Sequence, residues 1–426
     1  MLRLFLISIK RFVGLALGAL TRSPDGVAPL RLRRLLVLAL FLPLFALVQA
    51  MHWLGYLLDD LLFRGWRRVE VRAPVFVLGV PRSGTTRLHQ VLADDRQFTT
   101  FRTWECLFAP SVSQRRFWLA LARLDGLVGR PFGRLLGWLE RRVFAALDDV
   151  HAMSLSTPEE DYFALMPILS CFILALPFPG FEHLWRIGRF DRDLPADERR
   201  LILDYYRDCL KRHLYVHGPG RVLLSKNAAF AGMAQGLADQ FPDARFIVCL
   251  RDPAETVPSQ LSSIADGLAF FGVPADSAPI RARLVDQLAF YYENLVALSH
   301  RLPAERHAAL GLTELRAGLA PVLTRIYAQL RLDLSPDFAR ALTVEDGRAR
   351  GYRSRHQYSL EQFGLDAAQI DARFARAYDH PVLAAPRSTS AISDVQSAEP
   401  AEPVPAPAHA APVTAGPAAR ARAASC

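Results

Sequence analysis

Residues 75–92 read VFVLGVPRSGTTRLHQVL: a short apolar run, then Gly79-x4-Gly84-Thr85-Thr86, then a helix-compatible stretch. Glycines at that spacing let the backbone curl until successive N–H groups and a helix N-terminus converge on an anion. Arg82 enters the loop from within, and a guanidinium forks onto phosphate or sulfate oxygens with two parallel hydrogen bonds. The ATPase form of such a loop requires lysine where this chain has Thr85, and no Walker-B acid is evident nearby. The loop suits an anion, and it argues against ordinary nucleoside-triphosphate hydrolysis.

A second anion site is suggested by LRDPAETVPSQLSS, beginning at residue 250. Arg251 emerges at the carboxyl end of an apolar run, and Ser259 falls about two helical turns further on, so both can converge on one phosphate. Two anion sites on neighbouring strand ends would suit a doubly phosphorylated nucleotide.

The elements that must hold these residues follow from patterning. Residues 75–78 and 245–250 are β-branched and aromatic runs bounded by turn residues, as expected of strands buried on both faces, and 222–224 is a weaker third. Helix-compatible sequence follows each, over 86–93, 231–240 and 255–265. Strand, loop, helix, repeated, predicts an α/β fold: a P-loop-like, mainly parallel sheet flanked by helices, with its ligand crevice at the carboxyl ends of the strands.

A chain of 426 residues, 51% apolar and 22% charged, is neither a disordered polymer nor a small disulfide scaffold. The formal charge of +9 comes almost wholly from arginine, since Lys10, Lys211 and Lys226 are the only lysines. Anionic partners suit that balance, as does a plain bias towards arginine codons. Cys106, Cys171, Cys209, Cys249 and Cys426 show no metal-type spacing and imply a reducing compartment rather than a disulfide framework.

Residues 35–58 carry no acidic or basic residue apart from His52, and roughly 20 such residues suffice to cross a bilayer. Trp53 and Tyr56 stand at one end, while arginines flank both ends, at 31, 33 and 34 and at 64, 67 and 68, so orientation is weakly specified. Pro43 suggests a kink or a re-entrant hairpin. Residues 1–20 mix Arg3, Lys10 and Arg11 with apolar side chains and read as an interfacial helix in preference to a signal peptide. From Pro386 onward the Ala/Pro-rich sequence lacks apolar periodicity and is expected to be a disordered tail.

Pro81-Arg82-Ser83-Gly84-Thr85-Thr86 resembles the 5′-phosphosulfate loop of sulfotransferases that use 3′-phosphoadenosine-5′-phosphosulfate (PAPS), especially the branch that includes the tyrosylprotein sulfotransferases. Phe241-Pro242-Asp243-Ala244-Arg245-Phe246, running on to Arg251-Asp252-Pro253 and Ser259, is similar to the same family's 3′-phosphate segment. The likeness continues at Leu223-Leu224-Ser225-Lys226-Asn227, from His151 through Pro158-Glu159-Glu160-Asp161, and at His356-Gln357-Tyr358-Ser359-Leu360 with Phe363-Gly364-Leu365. It covers about residues 73–380 and weakens over 312–320, where the family usually has a Tyr-Glu-Asp-Leu-like element.

The resemblance implies metal-independent, in-line transfer of a sulfuryl group from PAPS, as cosubstrate, to an acceptor hydroxyl or amine. Arg82, Ser83, Gly84, Thr85 and Thr86 would hold the phosphosulfate, and Arg251 and Ser259 the 3′-phosphate. Two residues compete as base. Glu105 lies at about the interval from the loop where the tyrosylprotein enzymes place a catalytic glutamate; His151 titrates near neutrality and precedes Glu159, Glu160 and Asp161. Lys226 would meet the sulfonate or the bridging oxygen, and Phe101, Trp104 and Phe163 would wall an apolar acceptor pocket. The implied organisation is a membrane-associated segment over 1–72, a sulfotransferase domain over 73–385 and the tail over 386–426. Because the family's donor is made in the cytosol, the domain is expected to face the cytoplasm, acting on a lipid or lipid-linked glycan and on no nucleic acid. A P-loop kinase and a noncatalytic, anion-binding membrane scaffold are the competing expectations.

Overall fold

The runs expected as strands pair in the order β2-β3-β1-β4-β5, every pair parallel, with β1 Val75–Gly79, β2 Phe98–Thr99, β3 Val222–Asn227, β4 Arg245–Leu250 and β5 His307–Gly311. The computed structural model describes residues 1–21, 26–144, 154–274, 276–349 and 359–384; the expected tail lies outside them.

Side chains alternate across the sheet, as a period of two requires. Phe76, Leu78, Phe246 and Val248 enter the larger apolar cluster on one face. Val75, Val77, Ile247 and Cys249 enter a second, against Leu88 and Leu92 of α3, Thr85–Ala93. With β3 on one side of β1 and β4 on the other, the chain switches direction around β1, which opens a crevice at the strands' carboxyl ends.

Two expectations need correction, and two strands were not foreseen. The third strand runs on to Asn227, so Lys226 lies within β3 rather than after it; pairing with β1, Val77 opposite Lys226, recruits the polar residues into the ladder. Neither two-residue β2 nor β5, HAALG, carries enough apolar pattern to be seen in the sequence. The re-entrant hairpin is also overturned: α2 runs unbroken from Leu32 to Leu62 through Pro43, whose missing N–H lies on an exposed face.

Residues Met1–Ala384 form one compact unit. Within it α1, Leu2–Leu20, lies antiparallel to α2, since Phe5 meets Trp53 and Phe12 meets Phe45. Asp59 of α2 accepts from the N–H groups of Val112 and Ser113, at 2.9 and 2.7 Å, where α5, Val112–Leu127, begins. The same carboxylate accepts from buried Arg212 Nε at 3.1 Å.

Candidate active site

The loop leaves β1 under tight steric control. A Cβ on Gly79 would lie 2.5 Å from the Cys249 carbonyl oxygen of β4, so only glycine permits this approach. Arg82 and Gly84 have φ of 65° and 89°, two left-handed positions flanking Ser83. Ser83 closes the turn, its N–H and Oγ donating to the Val80 carbonyl at 3.3 and 2.6 Å. Gly84 then caps α3, whose first-turn N–H groups are the orphan donors of a helix start. Ser83 and Thr85 are buried, whereas Arg82 and Thr86 are exposed at the mouth.

One strand away, Arg251 follows β4, and Asp252 caps the next helix, Pro253–Phe270, by accepting from Ala254 N–H at 2.8 Å. Arg251 Nη1 donates to the Arg82 carbonyl at 3.4 Å, so the two arginine-bearing junctions share one crevice. Its Nε donates to Glu255 at 2.9 Å, and Tyr292 fixes the backbone by donating to the Arg251 carbonyl at 2.5 Å. Ser259 sits on the buried side of that helix.

On the other flank of β1, Lys226 Nζ lies 2.6 Å from Glu160 Oε1 with its side chain 4% exposed. Asp161, the next acid, accepts from Tyr206 OH at 2.5 Å and from Ser225 Oγ at 2.9 Å. Burial pushes the Asp161 carboxyl up to about 7, against the pull of those two hydrogen bonds. Burial also raises Glu159, which accepts from Thr103 Oγ1 at 3.4 Å. The acidic run therefore lies against the end of β3.

Glu105 occupies a different environment. It stands in the first turn of α4, Thr103–Phe108, fully buried, with Oε2 accepting from Arg102 N–H at 2.9 Å. Oε1 lies 2.5 Å from His217 Nε2, 3.4 Å from Arg115 Nε and 3.8 Å from His213 Nδ1. Burial works against its charge, but His213, the His217 hydrogen bond and Arg115 together hold the carboxyl at about 2. Glu105, His213 and His217 bring their ligand-capable atoms within 4.8 Å of one another. The buried Arg115 guanidinium, stacked 5.1 Å over Phe101, already supplies positive charge at this carboxylate, so the cluster is self-compensated.

Phe101 is enclosed between Arg115 and His213, whereas Trp104 and Phe163 keep partial exposure. His151 and the segment His356-Gln357-Tyr358 lie outside the described residues. The Glu160–Lys226 pair and the Arg115–His213–His217 surround of Glu105 escape sequence reasoning. The one available signal was the i, i+4 spacing of His213 and His217 on the helix Ala196–His217.

Comparison with known proteins agrees with this architecture. Omega-hydroxy-beta-dihydromenaquinone-9 sulfotransferase Stf3 from Mycobacterium bovis and from Mycobacterium tuberculosis is 28% identical to this chain over 194 residues, 44% of either length. The chain thus spans under half the length of these curated relatives. The crystal structure of sulfotransferase STF9 from Mycobacterium avium superposes with a TM-score of 0.67 at 17% identity, covering 88% of this chain and 95% of that one. STF1 from Mycobacterium tuberculosis H37Rv gives 0.62 at 19% identity, covering 86% and 91%. None of these relatives and structures is a tyrosylprotein sulfotransferase, and the likeness to that branch rests on the loop and its interval to Glu105. A profile of the sulfotransferase family matches residues 74–336, from the start of β1 to beyond β5, and with that match over more than half of its length the chain belongs to the sulfotransferase family.

Proposed function

We propose that this chain transfers the sulfuryl group of PAPS to a hydroxyl of a lipid-soluble acceptor. The observation that supports the reading is the 3.4 Å contact of Arg251 with the Arg82 carbonyl, which brings the two arginine-bearing junctions beside one another. The α3 N-terminus, with Ser83 to Thr86 and Arg82, takes the 5′-phosphosulfate; Arg251 and Ser259 take the 3′-phosphate. The acceptor oxygen attacks sulfur in line, the bond from sulfur to the 5′-phosphate oxygen breaks, and adenosine 3′,5′-bisphosphate leaves with the charge of that oxygen. Lys226 and the loop donors stabilise this charge, so no metal is required.

The acceptor proton needs a base. We assign Glu160, which is partly exposed beside Lys226, whereas enclosed Glu105 acts as a positioning acid for α4. His151 is the second candidate. The lipid-soluble acceptor is supported by the Stf3 relatives, named for a hydroxylated dihydromenaquinone. The domain then works on the cytoplasmic side of a membrane, where its donor is made.

Labelled PAPS incubated with the enzyme and a membrane extract, followed by mass spectrometry, tests the reading; a sulfated lipid is expected, and label transfer from ATP instead overturns it. Glu160→Gln should lower kcat by about 100-fold or more while adenosine bisphosphate still binds. Full activity in Glu160→Gln, with that loss in His151→Ala, moves the base to His151.

A further inference from the structure

We infer that α1 and α2 dock this protein flat on the surface of a bilayer containing anionic phospholipid, with both helix axes in the membrane plane, and that α2 does not cross it. By length and composition α2 could span, which makes the packing of its inner face decisive.

That face is tied to the catalytic unit along nearly the whole helix. Arg34 donates to the carbonyls of Phe271 and Pro177 at 2.8 and 2.9 Å. Gln49 donates to the Met166 carbonyl at 3.1 Å, and Tyr56 OH meets Tyr205 OH at 2.7 Å. Asp59 closes the series on α5 and Arg212. From 34 to 59 the rise of 1.5 Å per residue gives about 38 Å, longer than a hydrocarbon core of about 30 Å. A spanning α2 would therefore either drag polar backbone and an ion pair into lipid or break all of these contacts.

The outer face is built for lipid. On α2, Leu36, Leu40, Leu44, Leu47, Leu54 and Leu61 recur at helical spacing, each more than half exposed. On α1, antiparallel beside it, Leu2, Leu6, Ile9, Val13, Leu17 and Leu20 recur in the same way, each at least 45% exposed. Apart from buried His52, no acidic or basic residue occurs between Arg34 and Asp59. Exposed Arg3, Lys10, Arg31, Arg33 and Arg68 stand on and around the stripes, positive charge at the depth of phospholipid headgroups. Positive charge predominating along α1 and at the start of α2 favours an anionic bilayer over a second copy of the chain, whose own arginines would repel.

The inference stands whether or not the transferase reading does, and vesicle flotation of the full chain with depth-dependent fluorescence quenching tests it. Single cysteines replacing Leu36, Leu44, Leu54 and Leu61, in a Cys426→Ser background, carry the probe; the native thiols at 106, 171, 209 and 249 are buried. All four probes should report one shallow depth on mixed phosphatidylcholine–phosphatidylglycerol vesicles. Depths that grade from 36 to 61 across the bilayer would overturn the in-plane geometry. Leu40→Glu with Leu47→Glu should cut flotation about tenfold or more at unchanged circular dichroism. Equal flotation on pure phosphatidylcholine would overturn the anionic preference. A dimer in sedimentation that this double variant splits, with no flotation by the parent, would assign the face to self-association instead.

Discussion

Replacing Arg251 with alanine separates the roles proposed for the two arginine-bearing junctions. The Arg251 side chain is 18% exposed and paired with Glu255, itself 59% exposed. A hydrogen bond to a charged group contributes about 1.5–3 kcal/mol, so a forked contact to a 3′-phosphate would supply roughly 4 kcal/mol. Releasing the guanidinium from Glu255 offsets about 0.5–1 kcal/mol of this, since exposed ion pairs are weak. The net of about 3 kcal/mol corresponds to roughly a 150-fold loss of affinity. Titration calorimetry should show that loss for adenosine 3′,5′-bisphosphate in Arg251→Ala, with adenosine 5′-phosphate changed by less than about threefold. Because Arg251 also donates to the Arg82 carbonyl, its removal could disturb the loop itself, and the 5′-phosphate then reports that disturbance. Equal weakening of both nucleotides, or of neither, would refute the division of labour between the junctions.

Three further outcomes follow from the packing. Gly79→Ala forces a methyl against the Cys249 backbone and should destabilise the fold by about 2–3 kcal/mol in urea titration, with β1 and β4 pushed apart. Asp59→Ala leaves Arg212 buried without its carboxylate and should cost about 3–5 kcal/mol, seen as a lower thermal midpoint, with Asp59→Asn milder. His89, buried on α3, has its pKa lowered from 6.5 to about 3, first by burial and then by Lys226. Its folded pKa lies below its unfolded one, so its stabilisation is complete above pH 6.5 and is lost as pH falls towards 3. By pH 5 the loss is about 2 kcal/mol. Denaturation in a pH series should show His89→Gln with that much less acid sensitivity.

The phosphate loop and the arginine after β4 were legible in the sequence because their requirements are local. Gly79 and Gly84 answer to backbone geometry within a few residues, and the runs at 75–78 and 245–250 announce strands buried on both faces. What Glu105 touches was not legible, since His213 and His217 reach it from more than 100 residues away, on a helix that only the assembled sheet brings near. The partner of Lys226 was hidden in the same way, 66 residues distant. The attitude of α2 was hidden for a different reason. Its inner face is itself mostly apolar, with Leu38, Phe45, Trp53 and Tyr56 buried, so the helix shows little contrast between its two sides. Composition determined that α2 would avoid water. Only tertiary packing decided which side meets protein, because burial against a domain and burial in lipid ask for the same side chains.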